Sequence, residues 1–440
     1  MRTILKRNTT SLCPECFQQV PAVVFCEEEK VFIEKECPQH GPFSSCLENN
    51  VNFYKRFASF SVSPDPFFHT LVLPVTYRCN LACSYCYAHY SDLPDRPLGY
   101  FKELISQFKG VIVGLSGGEP TLREDLPEFV SYIKKSGKIS SLLTNGLRLV
   151  DERYLRSLAL EGLDSVFFSF DSFSKDFYKL TKGEDILEQK KKALANLEKL
   201  NIKTVLSVTI YPGINEHELK DIFLFAFRNR HYITQLRLRS AAPVCHYEAS
   251  GRYFTSDLIR MFSKQVNIEE ESLLKYFIGR LPHFNLKREG HTIHHVQLLM
   301  KGVCVGDTFV PVVSRNALIG TFLCLKIALQ KKGLLTVLKE GKRFFNIFFH
   351  VNKYKKFGSF FMIKNGIHIF ATEFINLFKL WFGFFSMLPV RFISWPTKDN
   401  IDLEEVDRGI AQLTQSGDIL NFCHAIVFDE NFNKGRKRSA

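Results

Sequence analysis

Thr76-Tyr77-Arg78-Cys79-Asn80-Leu81-Ala82-Cys83-Ser84-Tyr85-Cys86-Tyr87 follows directly on the apolar run Leu71-Val72-Leu73-Pro74-Val75. A short apolar run ended by polar residues reads as a buried strand. That strand delivers Cys79, Cys83 and Cys86 to the loop beyond its carboxyl end. Cysteine thiolates are the usual ligands of iron–sulfur clusters, and a cubane normally takes four. Three on one loop hold three irons and leave the fourth open to a small molecule. The loop is therefore predicted to carry a [4Fe–4S] cluster with one position for a non-protein ligand.

From this loop to about Arg239, short apolar runs alternate with longer amphipathic ones. The predicted strands are Thr70–Val75, Val111–Leu115, Ile139–Leu143, Ser165–Phe170, Lys203–Ile210 and Gln235–Leu238. The predicted helices include Leu126–Lys135, Glu152–Leu160, Ile186–Leu200 and Glu216–Arg228. Asp151 and Asn215 stand as N-caps, and Gly137 and Gly162 as stop signals. Such alternation implies an α/β fold with a parallel sheet and right-handed crossovers. Ligands of a curled sheet of this kind sit at the carboxyl ends of its strands.

The second strand ends in Ser116-Gly117-Gly118-Glu119-Pro120. Paired glycines let the backbone approach a ligand closely, and Glu119 can accept hydrogen bonds from an amine. The third strand ends in Thr144-Asn145-Gly146 and the fourth in Ser169-Phe170-Asp171-Ser172. Polar groups there suit ribose hydroxyls or a carboxylate, with capping and turn chemistry the alternative for each residue.

The N-terminal unit carries Cys13-Pro14-Glu15-Cys16 and Cys37-Pro38-Gln39-His40-Gly41, joined by the strand-like segments Val20–Phe25 and Lys30–Lys35. Two knuckles on a hairpin make a zinc-ribbon or rubredoxin arrangement with tetrahedral ligands. The predicted set is Cys13, Cys16, Cys37 and His40, with Cys26 or Cys46 able to replace the histidine. Structural zinc or iron and a mononuclear iron that passes electrons both remain open. A unit this small needs a metal to hold it.

Hydrophobic residues at 45% and charged residues at 23% exclude a disordered chain, and 440 residues imply two or three domains. Twelve cysteines in such spacings point to metal ligation in a reducing compartment rather than a disulfide scaffold. Met1 to Arg7 run into polar residues without an apolar leader segment, so the expected location is cytoplasmic. The net charge of +13 suits nucleic acid, an anionic membrane or an acidic substrate. Forty-three phenylalanines, many in the last third, favour a lipid surface or lipid-like substrate over nucleic acid; genomic codon bias is the plainer alternative. Between Ile367 and Leu388, Glu373, Asn376, Lys379 and Gly383 share one helical face, opposite Phe370, Phe378, Trp381 and Phe385. This predicts an amphipathic helix that joins the core or lies on a membrane, rather than one that spans it. His291, His294 and His295 are a weaker metal candidate.

Cys79, Cys83 and Cys86, with aromatic Tyr85 before the last cysteine, and then Gly117 to Pro120 and six βα units, resemble the radical S-adenosylmethionine superfamily over roughly residues 67–240. The resemblance implies a partial (βα)6 barrel. It also implies that the open iron is chelated by the methionine amino and carboxylate groups of S-adenosylmethionine. Reductive cleavage would then give a 5′-deoxyadenosyl radical that abstracts hydrogen from an unactivated carbon. By position, Gly117, Gly118, Glu119 and Pro120 would meet the methionine amine, and Asn145, Ser169 and Asp171 the rest of the cofactor. The CPxC and CPxHG knuckles, with the tail Phe392-Ile393-Ser394-Trp395-Pro396 through Asn421-Phe422-Cys423-His424, are similar to the tetraether lipid synthase branch. That branch joins or modifies lipid chains and carries additional iron–sulfur and rubredoxin-like centres. The chain departs from the branch at Asp407-Arg408-Gly409, where a cysteine is missing. Cys304 and Cys423, with Cys245 and Cys324, are candidate ligands of an auxiliary cluster, or small hydrophobes in a core.

The expected organisation is a Cys-rich zinc-ribbon or rubredoxin-like domain at 1–62 and a radical core at 63–265. An α-rich substrate or auxiliary region with amphipathic Phe-rich helices is expected at 266–440. The expected activity is hydrogen abstraction from an apolar, lipid-chain substrate. The expected partners are a ferredoxin or flavodoxin reductant and the inner face of a membrane. Two alternatives stand beside it: a radical enzyme modifying a peptide or small molecule, and a non-catalytic metal- or partner-binding protein. The intact cysteine triad and GGEP turn argue against the last.

Overall fold

The computed structural model describes residues 2–58, 69–86, 94–241, 251–274, 295–305, 307–311, 387–394, 399, 410–413 and 419–421. The first four strands, β1 (Thr3–Leu12), β2 (Gln19–Glu27), β3 (Lys30–Cys37) and β4 (Gly41–Glu48), form an antiparallel sheet in sequence order. Helix α1 (Val51–Ala58) follows; Asn50 Oδ1 accepts from Phe53 N at 2.9 Å and caps it. Alternation along β3 buries Val31, Ile33, Lys35 and Cys37 on one face. Val31, Ile33, Phe53 and Phe57 then join the same apolar core as the main sheet, so the ribbon is packed onto the rest of the chain.

The main sheet is built from β5 (Thr70–Thr76), α2 (Leu98–Gln107), β6 (Ile112–Gly117), α3 (Leu126–Lys135), β7 (Ile139–Thr144), α4 (Glu152–Leu160), β8 (Ser165–Ser169), α5 (Lys175–Lys182), α6 (Leu187–Lys199), β9 (Lys203–Ile210), α7 (Leu219–Arg228) and β10 (Ile233–Ser240). Strands β5 to β10 are neighbours in order and pair in parallel throughout. All six predicted strands form close to their expected bounds: β5 and β9 are runs buried on both faces, while β8 and β10 bury alternate residues. Asp151 caps α4 as expected, accepting from Arg153 N and Tyr154 N. Gly137 and Gly162 follow their helices with φ of +71° and +99°. Helices α8 (Thr255–Val266) and α9 (Glu270–Leu273) come next.

The described elements from 295 onward are strands: β11 (His295–Val305), β12 (Thr308–Pro311), β13 (Met387–Ile393), β14 (Ile410–Leu413) and β15 (Ile419–Asn421). They widen the sheet at both sides, in the order β12-β11-β13-β10-β9-β8-β7-β6-β5-β14-β15. β13 runs parallel to β10, and β14 runs parallel to β5. The sheet is open among the described residues, with no closed barrel. The α-rich expectation for 266–440 therefore does not extend to these segments. Leu388, Val390 and Phe392 are buried at period two, which is the pattern of a strand. The helix predicted up to Leu388 lies outside the described residues except for Met387 and Leu388, which open β13. Among the described residues no helix is long and apolar enough to cross a membrane.

The ribbon meets α8 through a polar seam. Buried Glu48 accepts from Ser256 Oγ and, through Oε1, from Asn49 N at 2.7 Å; Asn49 Nδ2 donates to Asp257 Oδ2 at 2.9 Å. Burial pushes the Glu48 carboxyl up to about 7, with Ser256 opposing and Asp257 adding to the shift.

Candidate functional site

The ribbon knuckles converge at one end of their sheet. Cys16 Sγ lies 3.8 Å from Cys37 Sγ, while His40 Nδ1 lies 3.6 Å from Cys13 Sγ and 3.5 Å from Cys37 Sγ. A tetrahedral ion with bonds of ~2.3 Å to sulfur and ~2.0–2.1 Å to nitrogen has edges of ~3.8 Å between sulfurs and ~3.5–3.6 Å from sulfur to nitrogen. These three distances match the edges of a tetrahedral zinc or iron site. The ligand atoms of the four side chains all lie within 4.8 Å of one another, so His40 completes the set and Cys26 and Cys46 do not belong to it. Burial raises the Cys37 thiol, but hydrogen bonds from Gln39 and His40 outweigh it and bring the group down to about 6, toward the thiolate a metal needs.

The loop after β5 holds Cys79, Cys83 and Cys86 half-buried, and none is in a disulfide. Ser84 N donates to Thr181 O at 3.1 Å, tying the loop to the last turn of α5. Tyr85 Oη donates to Asp171 Oδ2 at 2.8 Å, and its ring packs edge-on against Tyr211 at 4.5 Å. Lys182 Nζ sits 4.0 Å above the Tyr85 ring and 2.9 Å from Asp171 Oδ2, with both charged groups nearly sealed from water. Burial pushes the Asp171 carboxyl up and the Lys182 ammonium down. The donor chemistry and half-burial of the cysteines fit a cubane held by three thiolates. Such ligands bind different irons, so they need not converge on one point as the ribbon ligands do.

Gly117 and Gly118 lie against this loop. A Cβ on Gly117 would fall 2.0 Å from Thr76 O, and one on Gly118 2.3 Å from Arg78 O. The glycines are thus required by the chain itself: the turn after β6 packs backbone to backbone on the segment leading into Cys79. Gly118 N donates to Thr76 O at 2.9 Å and Glu119 N to Arg78 O at 2.8 Å. The Glu119 side chain is fully buried, and Thr121 N, Thr121 Oγ1, Thr144 Oγ1 and Asn145 N all donate to it at 2.6–3.1 Å. It therefore stitches the turn to the end of β7, with three of the four bonds on Oε1 and that from Asn145 N on Oε2. Pro120 is buried in the turn that follows.

Asn145 Nδ2 donates to Asn80 Oδ1 at 2.8 Å, joining β7 to the cysteine loop. Ser169 closes β8, half-buried. Asp171 is buried, and its Oδ1 accepts from Thr209 N at 2.8 Å, so it is a hub between the loop, β9 and α5 rather than an exposed ligand. Asn215 is likewise buried and does not cap by its side chain. Its Nδ2 donates to Asp171 O at 2.8 Å and Thr209 O at 2.9 Å.

Two lysines escape a reading by motif. Lys190 on α6 is fully buried and donates to Asn145 O at 2.6 Å and Ser169 O at 2.8 Å. Burial lowers it to about 8, against the attraction of Asp171. It fixes the spacing of the two strand ends predicted to face the cofactor. Lys182 is the second. Their one available signal is position: each falls on the apolar stripe of its helix, where a lysine requires a buried acceptor. Of the auxiliary-cluster candidates, Cys304 lies on β11 opposite Phe309, while Cys245, Cys324 and Cys423 lie outside the described residues. So do His291, His294, Trp395, Pro396 and the Asp407-Arg408 segment; His295 begins β11.

Residues 73–226 match the model of the radical SAM superfamily, and residues 5–49 that of the HMPTM N-terminal zinc ribbon domain. The 7,8-dihydro-6-hydroxymethylpterin dimethyltransferase of Methanocaldococcus jannaschii is 26% identical over 302 residues, covering 60% of each chain. A probable GTP 3′,8-cyclase of Methanothermobacter thermautotrophicus is 31% identical over 191 residues, 42% of this chain and 62% of the relative. The alignments thus span about three fifths of these relatives. Among solved structures, Streptococcus suis SuiB bound to the precursor peptide SuiA aligns with a TM-score of 0.41 and 15% identity, over 60% of this chain and 69% of SuiB.

Proposed function

We infer from a chain that carries a radical S-adenosylmethionine domain at residues 73–226 and a zinc ribbon at 5–49 that it is a radical enzyme acting on a small heterocycle of the pterin class. What supports this substrate class is extent: the relative named as a pterin dimethyltransferase aligns over 60% of the chain, well beyond the core domain alone. The cluster and S-adenosylmethionine, when bound, supply one-electron cleavage to a radical that takes hydrogen from unactivated carbon. The protein's own share is placement. Cys79, Cys83 and Cys86 hold the cluster on a loop pinned by Tyr85, Asp171 and Ser84. Lys190 and Glu119 set the spacing of β6, β7 and β8, where Asn145 and Ser169 would contact the adenosyl portion. The ribbon metal is structural.

A second reading keeps the lipid-chain substrate, with peripheral contact at the inner membrane face. It draws on the 43 phenylalanines and the charge of +13. In either case a ferredoxin or flavodoxin is the expected reductant. The deciding experiment is anaerobic reconstitution with reductant and S-adenosylmethionine, followed by mass spectrometry for 5′-deoxyadenosine and modified substrate. Turnover stimulated by 7,8-dihydro-6-hydroxymethylpterin supports the first reading, and turnover stimulated by anionic phospholipid vesicles the second. A loaded cluster that yields no 5′-deoxyadenosine under varied reductants overturns both.

A further inference from the structure

Alternation along β10 and β13 separates two faces. Leu236, Leu238, Val390 and Phe392 are fully buried on the helix-covered face, where Phe392 meets Phe262 of α8 at 5.4 Å. Arg237, Arg239 and Arg391 therefore project from the opposite face, and all three are half-buried. The register sets them in rows. Ser169, Ser207, Arg237, Arg391 and Gln297 are successive partners across β8, β9, β10, β13 and β11, and Thr209 and Arg239 are partners one step further along.

Arg237 and Arg391 are direct cross-strand neighbours. Like charges in that position repel, and half-burial strengthens the repulsion by removing water. Neutral groups help to orient each guanidinium, and Arg239 also lies within electrostatic reach of buried Asp171. Arg237 Nε donates to Gln235 Oε1 at 3.0 Å, and its Cζ lies 4.4 Å from the centroid of the Phe167 ring. Arg391 Nε and Nη2 both donate to Gln297 Oε1, at 3.2 and 2.8 Å, and Arg239 Nη2 donates to Thr209 Oγ1 at 3.3 Å. Oriented planar forks side by side match the two oxygens of a phosphoryl or carboxylate group.

We propose that Arg237 and Arg391, extended by Arg239, form a subsite for an anionic group of the substrate, phosphoryl or carboxylate. With strands ~4.8 Å apart, Arg237 stands ~10 Å and Arg391 ~14 Å along the sheet from Ser169. The subsite thus lies beside the predicted cofactor seat. A substrate held there by its anionic end directs its other end toward the cysteine loop. The word substrate rests on the radical-enzyme reading; the anion site does not.

The test is a thermal melt of the full chain, anaerobically reconstituted, at low salt with pyrophosphate or with succinate. Arg237→Gln, Arg391→Gln and Arg237→Lys are compared with the parent, and S-adenosylmethionine affinity and uncoupled 5′-deoxyadenosine formation are measured alongside. The parent should be stabilised by one of the two anions, which identifies phosphoryl or carboxylate. Each Gln variant should weaken that binding by about tenfold, with Lys intermediate, because a charge-assisted bidentate contact is lost. Affinity for S-adenosylmethionine and uncoupled cleavage should stay at parental levels. A parent indifferent to both anions, or Gln variants that bind them as well as the parent, overturns the proposal. So does a tenfold loss of S-adenosylmethionine affinity in the Gln variants, which would make the anion the cofactor's own carboxylate. Should one Gln variant not fold, the other, on a separate strand, carries the same comparison. Anion binding without any uncoupled cleavage would remove the radical reading and leave the subsite standing.

Discussion

Tyr85 Oη donates to Asp171 Oδ2 at 2.8 Å, a bond between the cysteine loop and the end of β8 that spans 86 positions of chain. The same oxygen forms an ion pair with Lys182 Nζ at 2.9 Å. Asp171→Asn strands a buried ammonium and should cost about 3–5 kcal/mol, whereas Tyr85→Phe removes one hydrogen bond to a charged group, about 1.5–3 kcal/mol. Thermal melts should rank the two variants in that order, and both should bind less iron after reconstitution. An Asp171→Asn protein that melts like the parent would show that the pair does not hold the loop.

Cys79→Ala, Cys83→Ala and Cys86→Ala should each abolish cluster absorbance and 5′-deoxyadenosine formation while leaving the ribbon metal bound. Metal analysis of the three variants checks this directly. Loss of the ribbon metal as well would mean that the two centres are not independent.

In the ribbon, Cys37→Ser should release one metal ion per chain and lower the melting temperature, since the metal supplies folding energy to a small sheet. Cys26→Ser and Cys46→Ser should retain it, because only Cys13, Cys16, Cys37 and His40 converge among the described residues. Elemental analysis of purified protein distinguishes these outcomes.

Gly118→Ala would force a methyl group to 2.3 Å from Arg78 O, a backbone atom that cannot rotate away. Overpacking of this sort costs about 1–3 kcal/mol. Denaturant unfolding should show the loss, together with weaker S-adenosylmethionine binding as the turn shifts. Gly137→Ala, with open space at its Cβ, should be destabilised only by its positive φ.

Glu48 gives a pH prediction. Its carboxyl is raised in the fold to about 7, so the folded state holds a proton that the unfolded chain releases near its ordinary value of ~4.3. Stability should therefore fall as pH rises between those two values, and no further above about 7. Asp257 faces the same seam and adds to the rise, while Arg252, also buried there, lowers it. Glu48→Gln should flatten this part of the stability–pH curve in urea titrations. An unchanged slope would place the titration elsewhere.

Much of this architecture was legible because its signals are local. The strands of the main sheet are short apolar or alternating segments, and the ribbon knuckles carry their ligands at fixed spacing. Asp151 caps α4 within its own turn. Roles set by distant partners were not legible. Glu119 reads as a ligand for an amine, and nothing in its motif announces the bonds from Thr121, Thr144 and Asn145 that tie β6 to β7. Asn215 reads as a cap but serves Asp171 and Thr209. Lys182 and Lys190 carry no motif at all, since their function depends on acceptors brought by other elements. The strands β11 to β15 were hidden for a related reason: they are recruited to the sheet from far along the chain, and their short runs resemble loop or helix until paired.

Strand β3 ends in Cys37 at the metal set, while Val31 and Ile33 on the same face lie in the core shared with the main sheet. The ribbon is consequently not a tethered arm that swings between a redox partner and the cysteine loop. An electron entering through a ribbon metal would have to tunnel across a fixed gap, at a rate set by distance and independent of solvent viscosity.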